Sequence, residues 1–411
     1  MKSVFASISL FILFSFSVSA QDTLIIMTYN LLNYPNLEST RYNDLKEVIE
    51  YTKPDIFICN ELTSASGADL ILNNAFNVAP INYYARANFV NGTDTDNMLY
   101  YNTNKVTLAG QNQITTALRD ITRYHLYTCE NSDTVWYDIF SLHLKASQGI
   151  TNANDRLAEC VILTNYIGTL PTNTNIIVGG DFNFYSNLAS IEPGWNQLTI
   201  NCPQPLKDPI NMAGDWHANV SYKSIHTQST RSSTNSGCCG GSTGGLDDRF
   251  DFLLINTNLR DGVEGAQYIP GTYKVIGNDG NHFNKSIIET PTNTSVPANV
   301  NTALFNMSDH LPVLMKVVTC DITIGLENTE FSNFKFFFPQ ENQLIIEATY
   351  SQIGKIKVEI LNINGELILE DSFISSLGNH TFTMDLPTMS KGMYILRLSS
   401  TTGTITKKFV R

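Results

Sequence analysis

A carboxylate and a carboxamide follow a short apolar run near the middle of the chain. Ile176-Ile177-Val178 is typical of a buried strand, and it ends in Gly179-Gly180 before Asp181, Phe182 and Asn183. Residues two apart on an extended chain face the same side, so Asp181 and Asn183 can act together. The glycines permit a sharp bend or a close approach to a ligand. The pair could therefore hold a phosphate and the water that attacks it, although this stretch taken alone is more often an ordinary turn.

Other apolar runs along the chain also carry a polar side chain at one end. Each of these side chains is a carboxylate, a carboxamide or an imidazole. The runs are Leu24 to Asn30, Ile56 to Glu61, Ile139 to Lys145 with His143, Arg249 to Leu254 with Asp251, and Ser308 to Val313 with Asp309 and His310. If these ends meet in space, they supply the groups that hydrolysis of a phosphodiester needs: a metal ligand, a base or orienting group, and a proton donor.

Glu61 and Asn30 are the candidate metal ligands, since hard divalent cations prefer carboxylate and carbonyl oxygen. The alternatives are a surface acid at a strand end for Glu61 and a loop-capping role for Asn30. His310 and Asp251 are a candidate dyad, in which the carboxylate fixes the histidine tautomer and raises its basicity. His143 at a strand end can contact a phosphate oxygen. A lone strand histidine usually packs in a core, but two in comparable positions favour function.

In this order and combination the motifs resemble the endonuclease/exonuclease/phosphatase superfamily, the fold of DNase I-like nucleases and neutral sphingomyelinases. The resemblance extends from about Leu24 to Val318. It implies a four-layer α/β sandwich, in which two packed mixed sheets are flanked by helices. It also implies a bound Mg2+, with Mn2+ or Ca2+ as alternatives.

The resemblance assigns a role to each site residue. Asn30, Glu61 and Asp309 lie at the metal, and Asp251 partners His310. Asp181 activates or aligns the nucleophilic water, while Asn183 orients the water or the phosphate. Whether Asp181 or His310 removes the proton stays open. Arg156, on the helix after His143, is either a bidentate phosphate donor or a solvated arginine on the helix face.

Apolar periodicity predicts helices where such a sandwich needs them. Tyr42 to Thr52 and Asn154 to Ile167 both place apolar residues at i, i+3, i+4 and i+7, and Pro54 and Gly168 end them. Apolar strands on both sides favour two packed sheets with helices outside. The Asn- and Gly-rich stretch 277–285 is expected to be a loop beside the cleft, either a plain solvent loop or a second calcium site.

The chain is expected to have three parts: a signal peptide (1–20), a catalytic domain (21–320) and a C-terminal β-sandwich (321–411). Lys2, an apolar stretch and Val18-Ser19-Ala20 indicate the signal. No segment is predicted to span a membrane stably. Short, evenly spaced strands and Asn364-Gly365, a hairpin signal, mark the C-terminal part.

The C-terminal part resembles the sorting domain of the type IX secretion system of Bacteroidetes. The matching stretches are Asn362 to Glu366, Gly392 to Ile395 and Lys407 to Arg411, while Phe338-Pro339-Gln340-Glu341 stands where Pro-Asn-Pro is usual. The resemblance implies export to the cell surface or the medium by that machinery. The alternative is an accessory sandwich that binds carbohydrate or a partner.

Charge and cysteine content restrict the function further. The net charge of −12 argues against tight nonspecific DNA binding through basic side chains, but divalent cations can neutralise phosphates instead. Seven cysteines in an exported chain predict disulfides. Cys59 and Cys160 are expected to be buried free thiols. Cys202, Cys238, Cys239 and Cys320 are the crosslink candidates, and a crosslink would order the Ser-, Thr- and Gly-rich loop 229–245. No ligand spacing indicates zinc.

These observations predict a secreted, metal-dependent phosphodiesterase whose substrate is DNA or RNA. Cleavage of sphingomyelin or another phospholipid is the alternative within enzymes. That use normally requires an exposed aromatic hairpin, for which Phe331 to Phe338 is the one candidate. A catalytically inactive binding protein is the alternative outside enzymes. The oligomeric state is not predicted.

Overall fold

A computed structural model describes residues 23–130, 133–319, 331–340, 342–350, 353–362, 365–400 and 404–411. The signal segment 1–20 and Cys320 lie outside these ranges. The strands are β1 (Thr23–Tyr34), β2 (Ile56–Leu62), β3 (Tyr84–Arg86), β4 (Asp96–Asn102), β5 (Thr107–Ile114), β6 (Ile121–Glu130), β7 (Asp133–His143), β8 (Asn175–Asp181), β9 (Leu206–Lys207), β10 (Asp251–Asn256), β11 (Ala266–Tyr268), β12 (Lys274–Val275), β13 (Val313–Thr319), β14 (Phe331–Gln340), β15 (Gln343–Tyr350), β16 (Lys355–Asn362), β17 (Leu367–Ile374), β18 (Gly378–Asp385), β19 (Met393–Ser399) and β20 (Thr404–Val410). The α-helices are α1 (Tyr42–Thr52), α2 (Ala65–Ile71), α3 (Ile150–Ile167), α4 (Pro193–Thr199), α5 (Thr257–Asp261) and α6 (Ala298–Met307).

The first thirteen strands form two mixed sheets. One has the order β11-β13-β1-β2-β4-β3, with β12 also beside β13, and the other has the order β5-β6-β7-β8-β10-β9. The central pairs β1–β2 and β7–β8 are parallel, while β13 runs antiparallel to β1 and β10 runs antiparallel to β8. The carboxyl ends of each parallel pair and the amino end of its antiparallel neighbour therefore lie at the same edge of the sheet.

Alternating side chains divide the second sheet between two hydrophobic cores. In β8, Ile177 faces the first sheet, while Ile176 and Val178 face α3 and α4. In β10, Leu253 faces the first sheet and Phe252 faces the helices. A strand buried on both faces requires a layer on each side. With α1 and α6 packed outside the first sheet, the predicted four-layer α/β sandwich is confirmed.

Both helices predicted from periodicity are present. The structure gives α1 the predicted bounds, and Lys53 ends it in a left-handed conformation immediately before Pro54. The second helix, α3, ends at Gly168 as predicted but begins four residues earlier, at Ile150. Periodicity missed this first turn because Ile150 and Thr151 are exposed and do not continue the apolar stripe.

The two glycines at the end of β8 are required by close packing. A Cβ on Gly179 would lie 2.6 Å from Ile58 Cδ1 of the first sheet, and one on Gly180 would lie 1.9 Å from the carbonyl oxygen of Leu142. Gly180 also has a φ of 139°, which L side chains rarely adopt. Gly179 therefore permits close contact between the two sheets, and Gly180 permits close contact between β8 and β7 within one sheet, just before Asp181.

The last seven strands form two antiparallel sheets, β14-β15-β18 and β17-β16-β19-β20. They share one core that includes Leu344, Ile360, Leu396 and Phe409, so the predicted all-β C-terminal part is confirmed. Its last strand contacts the preceding part of the chain, since the Val410 amide donates to Gln267 Oε1 over 2.9 Å. No α-helix in the described ranges is long and apolar enough to cross a bilayer.

Glu159 in the middle of α3 fixes the segment that follows His143. Its Oε2 accepts a hydrogen bond of 2.9 Å from the Lys145 amide, but its Oε1 is buried without a hydrogen-bond partner among the described residues. Burial raises the pKa of Glu159 to about 7. The side chain thus positions this segment, and its ionised form is poorly solvated.

Replacing Glu159 should remove a pH dependence of stability. A carboxyl group whose folded pKa is raised stabilises the fold below its unfolded pKa of 4.5, and this contribution is lost as the pH rises through about 7. Glu159→Gln keeps an acceptor for Lys145 without ionising. We expect the variant to exceed the wild type in free energy of unfolding at pH 8.5 by up to about 3 kcal/mol, and to show no such gain at pH 4.

Urea unfolding at both pH values measures this difference. Asp155→Asn, an exposed change on the same helix, is the matched control and should show no comparable gain. A Glu159→Gln difference that is the same at both pH values would contradict the assignment.

Candidate active site

The predicted polar residues meet at one edge of the two sheets. Asn30 and Glu61 lie in the last parts of β1 and β2, while His143 and Asp181 are the final residues of β7 and β8. Asp251 begins the antiparallel strand β10. In the second sheet, Asp181 pairs in register with His143 on one side and Asp251 on the other. Sheet register alone therefore fixes three of the site residues in a row.

Asn30 joins the two sheets at this edge. Its Nδ2 donates to Glu61 Oε1 over 3.0 Å and to Asp181 Oδ2 over 3.1 Å. Its Oδ1 accepts a 3.0 Å hydrogen bond from the Leu32 amide. The amide oxygen, which we predicted as a metal ligand, accepts this backbone hydrogen bond, and the amide nitrogen orients the two carboxylates. Metal binding by Asn30 stays a prediction.

His310 and Asp251 form the predicted dyad contact. His310 Nδ1 lies 2.7 Å from Asp251 Oδ2, although the two residues are 59 positions apart in sequence. The other ring nitrogen, Nε2, lies 3.7 Å from Asp181 Oδ2. Both side chains are almost fully buried. The ring is therefore held at Nδ1 and directs Nε2 toward the carboxylate of Asp181.

Glu61 is the most accessible of the site carboxylates, with its side chain 15% exposed. Its backbone has a φ of 58°, in the left-handed region where a non-glycine residue is uncommon. Its Oε2 accepts from the Asn33 amide over 2.9 Å, and its Oε1 lies 4.0 Å from His143 Nε2. This backbone turn directs the carboxylate toward the residues of the second sheet.

Asp309 is held by a loop that sequence reasoning did not connect to the site. Its Oδ2 accepts from the Ser242 amide over 2.7 Å and from Gln228 Nε2 over 3.1 Å. Gln228 Nε2 also lies 2.7 Å from His310 Nε2. Gln228 was not predicted, because it lies in a polar Ser- and Thr-rich stretch in which nothing distinguishes it from a solvent loop.

The carboxylates repel one another in this enclosed edge. Burial, reinforced by the charge of Asp309, raises the pKa of Glu61. Burial also raises the pKa of Asp181 to about 7; the His310 charge opposes this shift, while Asp251 and Glu61 add to it. No Lys or Arg side chain in the described ranges forms an ion pair with any of these carboxylates. Their convergence favours a cation between them.

The two histidines have opposite charge preferences. Burial lowers the pKa of His310, but the carboxylates of Asp251, Asp309 and Asp181 outweigh burial and hold that pKa well above the ordinary value. The pKa of His143 is well below its ordinary value because the side chain is buried and lies near the charges of Arg119 and His310. The carboxylates around His310 thus favour its charged form, whereas the buried position of His143 favours its neutral form.

The donor set fits a hard divalent cation. Ligand atoms of Asp181, Asp251 and His310 lie within 4.8 Å of one another. Carboxylate oxygens suit an ion such as Mg2+, and Glu61 Oε1 and Asp181 Oδ2 lie close together, since both accept from Asn30 Nδ2.

Asn183 lies beside Asp181, whereas Arg156 does not join the site. The Asn183 amide donates to Asp181 Oδ1 over 2.9 Å. The guanidinium of Arg156 is fully buried, with Nε 2.9 Å from Glu192 Oε2 and Nη1 bonded to the carbonyls of Lys145 and Ser147. Its donors thus stabilise the chain after His143. Sequence showed its helix position but could not show the partner, Glu192, which is 36 positions away.

The loops predicted beside the cleft have internal bonds. In segment 277–285, Asp279 Oδ1 lies 2.8 Å from His282 Nδ1 and accepts from the Asn281 amide, so this oxygen serves the loop itself.

Cys59 and Cys160 are buried free thiols, as predicted. Cys202, predicted as a crosslink candidate, is also buried and free. It packs in the core with Cys160 rather than in an accessible loop.

The C-terminal part matches a known family of domains. Residues 338–411 match the Secretion system C-terminal sorting domain, which confirms the predicted sorting domain. Among curated proteins, no sequence matches the chain.

Solved structures similar to the chain include members of the predicted superfamily. TDP2 of D. rerio, complexed with a single-strand DNA product, has 13% identity and a TM-score of 0.49, over 72% of this chain and 99% of its own. An endonuclease/exonuclease/phosphatase of Beutenbergia cavernae has 10% identity and a TM-score of 0.44, over 95% of this chain and 100% of its own. The mannosyl-6-phosphatase of Bacteroides thetaiotaomicron has 15% identity and a TM-score of 0.44, over 72% of this chain and 99% of its own.

Proposed function

We propose that the chain is an exported, metal-dependent phosphodiesterase and that its substrate is nucleic acid. The observation that carries this proposal is the meeting of Glu61, Asp181 and the His310–Asp251 dyad at one edge of the sandwich. Buried carboxylates beside a cationic imidazole suit a metal ion and a phosphate with an attacking water. This arrangement also argues against an inactive binding protein, which has no need to maintain it.

In this proposal Glu61 and Asp309 would hold the ion, which when bound would draw charge from the phosphate. Asn30 contributes by orienting Glu61 and Asp181, the two carboxylates to which it donates. The fixed positions of these oxygens reduce the reorganisation needed when substrate enters.

The charge states of the site residues support a division of roles. Cationic His310 stabilises the charge that develops on the phosphate, and Asp251 holds it in place. Neutral His143 contacts a phosphate oxygen. Asp181, with a pKa raised to about 7, aligns the water and accepts its proton, and Asn183 beside it orients the water or the phosphate.

A lipid substrate has no comparable support. The one candidate for an aromatic membrane hairpin lies in β14, where Phe334, Phe336 and Phe338 pack against the core of the C-terminal part. They are therefore committed to that core.

We propose residues 21–320 as the catalytic domain and 321–411 as the sorting domain handled by the type IX machinery, with the enzyme acting at the cell surface or in the medium.

Hydrolysis of four substrates tests the proposal directly. Plasmid DNA, RNA, sphingomyelin and bis(p-nitrophenyl) phosphate are each incubated with the full chain and Mg2+, and again with EDTA. We expect cleavage of nucleic acid and of the simple diester, and its loss with the chelator. Cleavage of sphingomyelin alone would identify the lipid reaction, while inactivity toward all four would remove the hydrolase proposal.

Glu61→Gln should weaken dependence on the metal. The substitution removes one negative charge while leaving an oxygen in place, so the Mg2+ concentration at half-maximal activity should rise by about tenfold or more. A Mg2+ titration with bis(p-nitrophenyl) phosphate measures this. Glu50→Gln, an exposed change on α1, is the control and should leave the titration unchanged. A Glu61→Gln titration that overlies the wild type would exclude Glu61 from the metal site.

A double-mutant cycle tests whether His310 and Asp251 act as one unit. We expect His310→Ala and Asp251→Asn each to lower kcat by about 10²- to 10⁴-fold, and the double variant to be scarcely worse than His310→Ala. The measurement uses one soluble diester at saturating Mg2+.

His125→Ala is the matched control for the cycle. His125 Nδ1 lies 2.7 Å from Asp138 Oδ1 in a His–Asp pair outside the site, so its removal should spare kcat. Additive losses at His310 and Asp251 would mean that the two side chains act separately, and full activity of His310→Ala would overturn the mechanism.

A further inference from the structure

Two adjacent cysteines lie in the loop that holds Asp309. In the structure both are free thiols: Cys238 is exposed, Cys239 is half-buried, and their Sγ atoms are 2.7 Å apart. We propose that Cys238 and Cys239 form a disulfide with each other in the exported protein, and that this bond fixes the loop against Asp309. The bond itself does not depend on the proposed function, whereas its effect on turnover does.

Three other cysteines whose side chains the structure describes are poorly placed to compete for this bond. Cys59 lies in the core that contains the first sheet, and Cys160 and Cys202 lie in the core under α3 and α4. All three are buried, while the adjacent pair is at the surface. A C-terminal sorting domain indicates export, and exported proteins meet oxidising conditions in which accessible neighbouring thiols become disulfides.

The loop around the pair has the backbone of a tightly constrained turn. Cys239, Gly240 and Gly241 have consecutive φ values of 72°, 76° and 88°. The left-handed region is disfavoured for a residue with a side chain, so the conformation at Cys239 requires compensation. Arg231 supplies part of it, since its Nη1 donates to the carbonyls of Cys238 and Gly240.

The backbone of this loop contacts the Asp309 side chain directly. A Cβ on Gly241 would lie 2.8 Å from Asp309 Cγ, so the backbone there is in contact with the carboxylate. The next amide, of Ser242, donates to Asp309 Oδ2 over 2.7 Å, and the Ser242 carbonyl accepts from Ser229 Oγ. Because only Gly240 and Gly241 separate Cys239 from Ser242, a change at the pair alters the placement of this amide.

The bond forms by thiol–disulfide exchange with a disulfide oxidoreductase of the cell envelope. The exposed Cys238 thiolate attacks the oxidant's disulfide and expels one oxidant thiolate, which takes up the proton that Cys238 lost. The Cys239 thiolate then displaces the second oxidant thiolate in the same way. Two protein thiols are oxidised and one disulfide is reduced to a dithiol. Cys238 is the better first nucleophile because it is exposed, whereas Cys239 is half-buried.

Adjacency makes the bond easy to reduce. Neighbouring Cα atoms across a trans peptide are about 3.8 Å apart, below the range of roughly 4.4–6.8 Å that an unstrained disulfide spans. Strained, exposed disulfides are the reducible ones. The pair can therefore open under mild reductant while the buried thiols stay protected.

Peptide mapping of the exported full-length protein tests for the bond. Cleavage after Arg231 and Arg249 releases peptide 232–249, which contains both cysteines and no others. After native alkylation with iodoacetamide, we expect this peptide to be unalkylated and lighter than the dithiol form by two hydrogen atoms. Mild dithiothreitol under native conditions should convert it to the doubly alkylated form. Two alkylated cysteines before reduction, or a link to another cysteine or another chain, would overturn the proposal.

Hydrogen exchange tests the link to Asp309 without using activity. The Ser242 amide should exchange more slowly in the oxidised wild type than in the reduced wild type. The Cys238→Ser/Cys239→Ser variant should resemble the reduced wild type with or without dithiothreitol. Equal exchange in the oxidised and reduced wild type would overturn the link, and this comparison does not require that the variant fold.

Turnover of bis(p-nitrophenyl) phosphate completes the test. Reduction should lower wild-type kcat by about threefold to tenfold, because a less constrained Asp309 positions its partners less well, and should leave the double variant unaffected. Equal turnover of both wild-type forms would overturn the effect on the site. Inactivity of every form would refute the proposed function, while the mapping and exchange results would still decide the disulfide.

Discussion

The side-chain amide of Asn30 is a direct hydrogen-bonded link between the two sheets, and the candidate site depends on it. It donates to Glu61 from the first sheet and to Asp181 from the second, so the relative position of the two carboxylates is set by one planar group. Its oxygen is fixed in turn by the Leu32 amide. The packed layers place the strand ends near one another, and the hydrogen bonds of Asn30 then fix the distance between the carboxylates of Glu61 and Asp181.

The site carboxylates lie close together at the edge of the sandwich and repel one another. Carboxylates from both sheets are buried near one another, and the described residues offer His310 as the cationic side chain among them. Such a cluster is destabilising unless a cation compensates it. The sheets tolerate it because their cores, lined by aliphatic and aromatic residues, supply stability elsewhere. The repulsion between carboxylates that would favour binding of a metal ion is therefore the same repulsion that destabilises the fold without one.

Sequence predicted the parts of the site that depend on strand ends. Asp181 and Glu61 could be recognised because each terminates an apolar run, and strand ends of parallel pairs meet by topology. The contact between Asp251 and His310 followed from a family resemblance, not from periodicity. Gln228 and the pairing of Arg156 with Glu192 could not be predicted, since both depend on loops whose course is set by tertiary contacts. Loop backbones leave no periodic signal in the sequence.

Close contact at Gly179 makes the site sensitive to how the two layers slide. The missing side chain lets Ile58 of the first sheet approach the backbone of the second, two residues before Asp181. Any lateral shear between the layers must pass through this contact, and it would change the separation of Glu61 and Asp181 by a similar amount. The packing of the two sheets in the apolar interior thus also sets the spacing of the site residues at the edge.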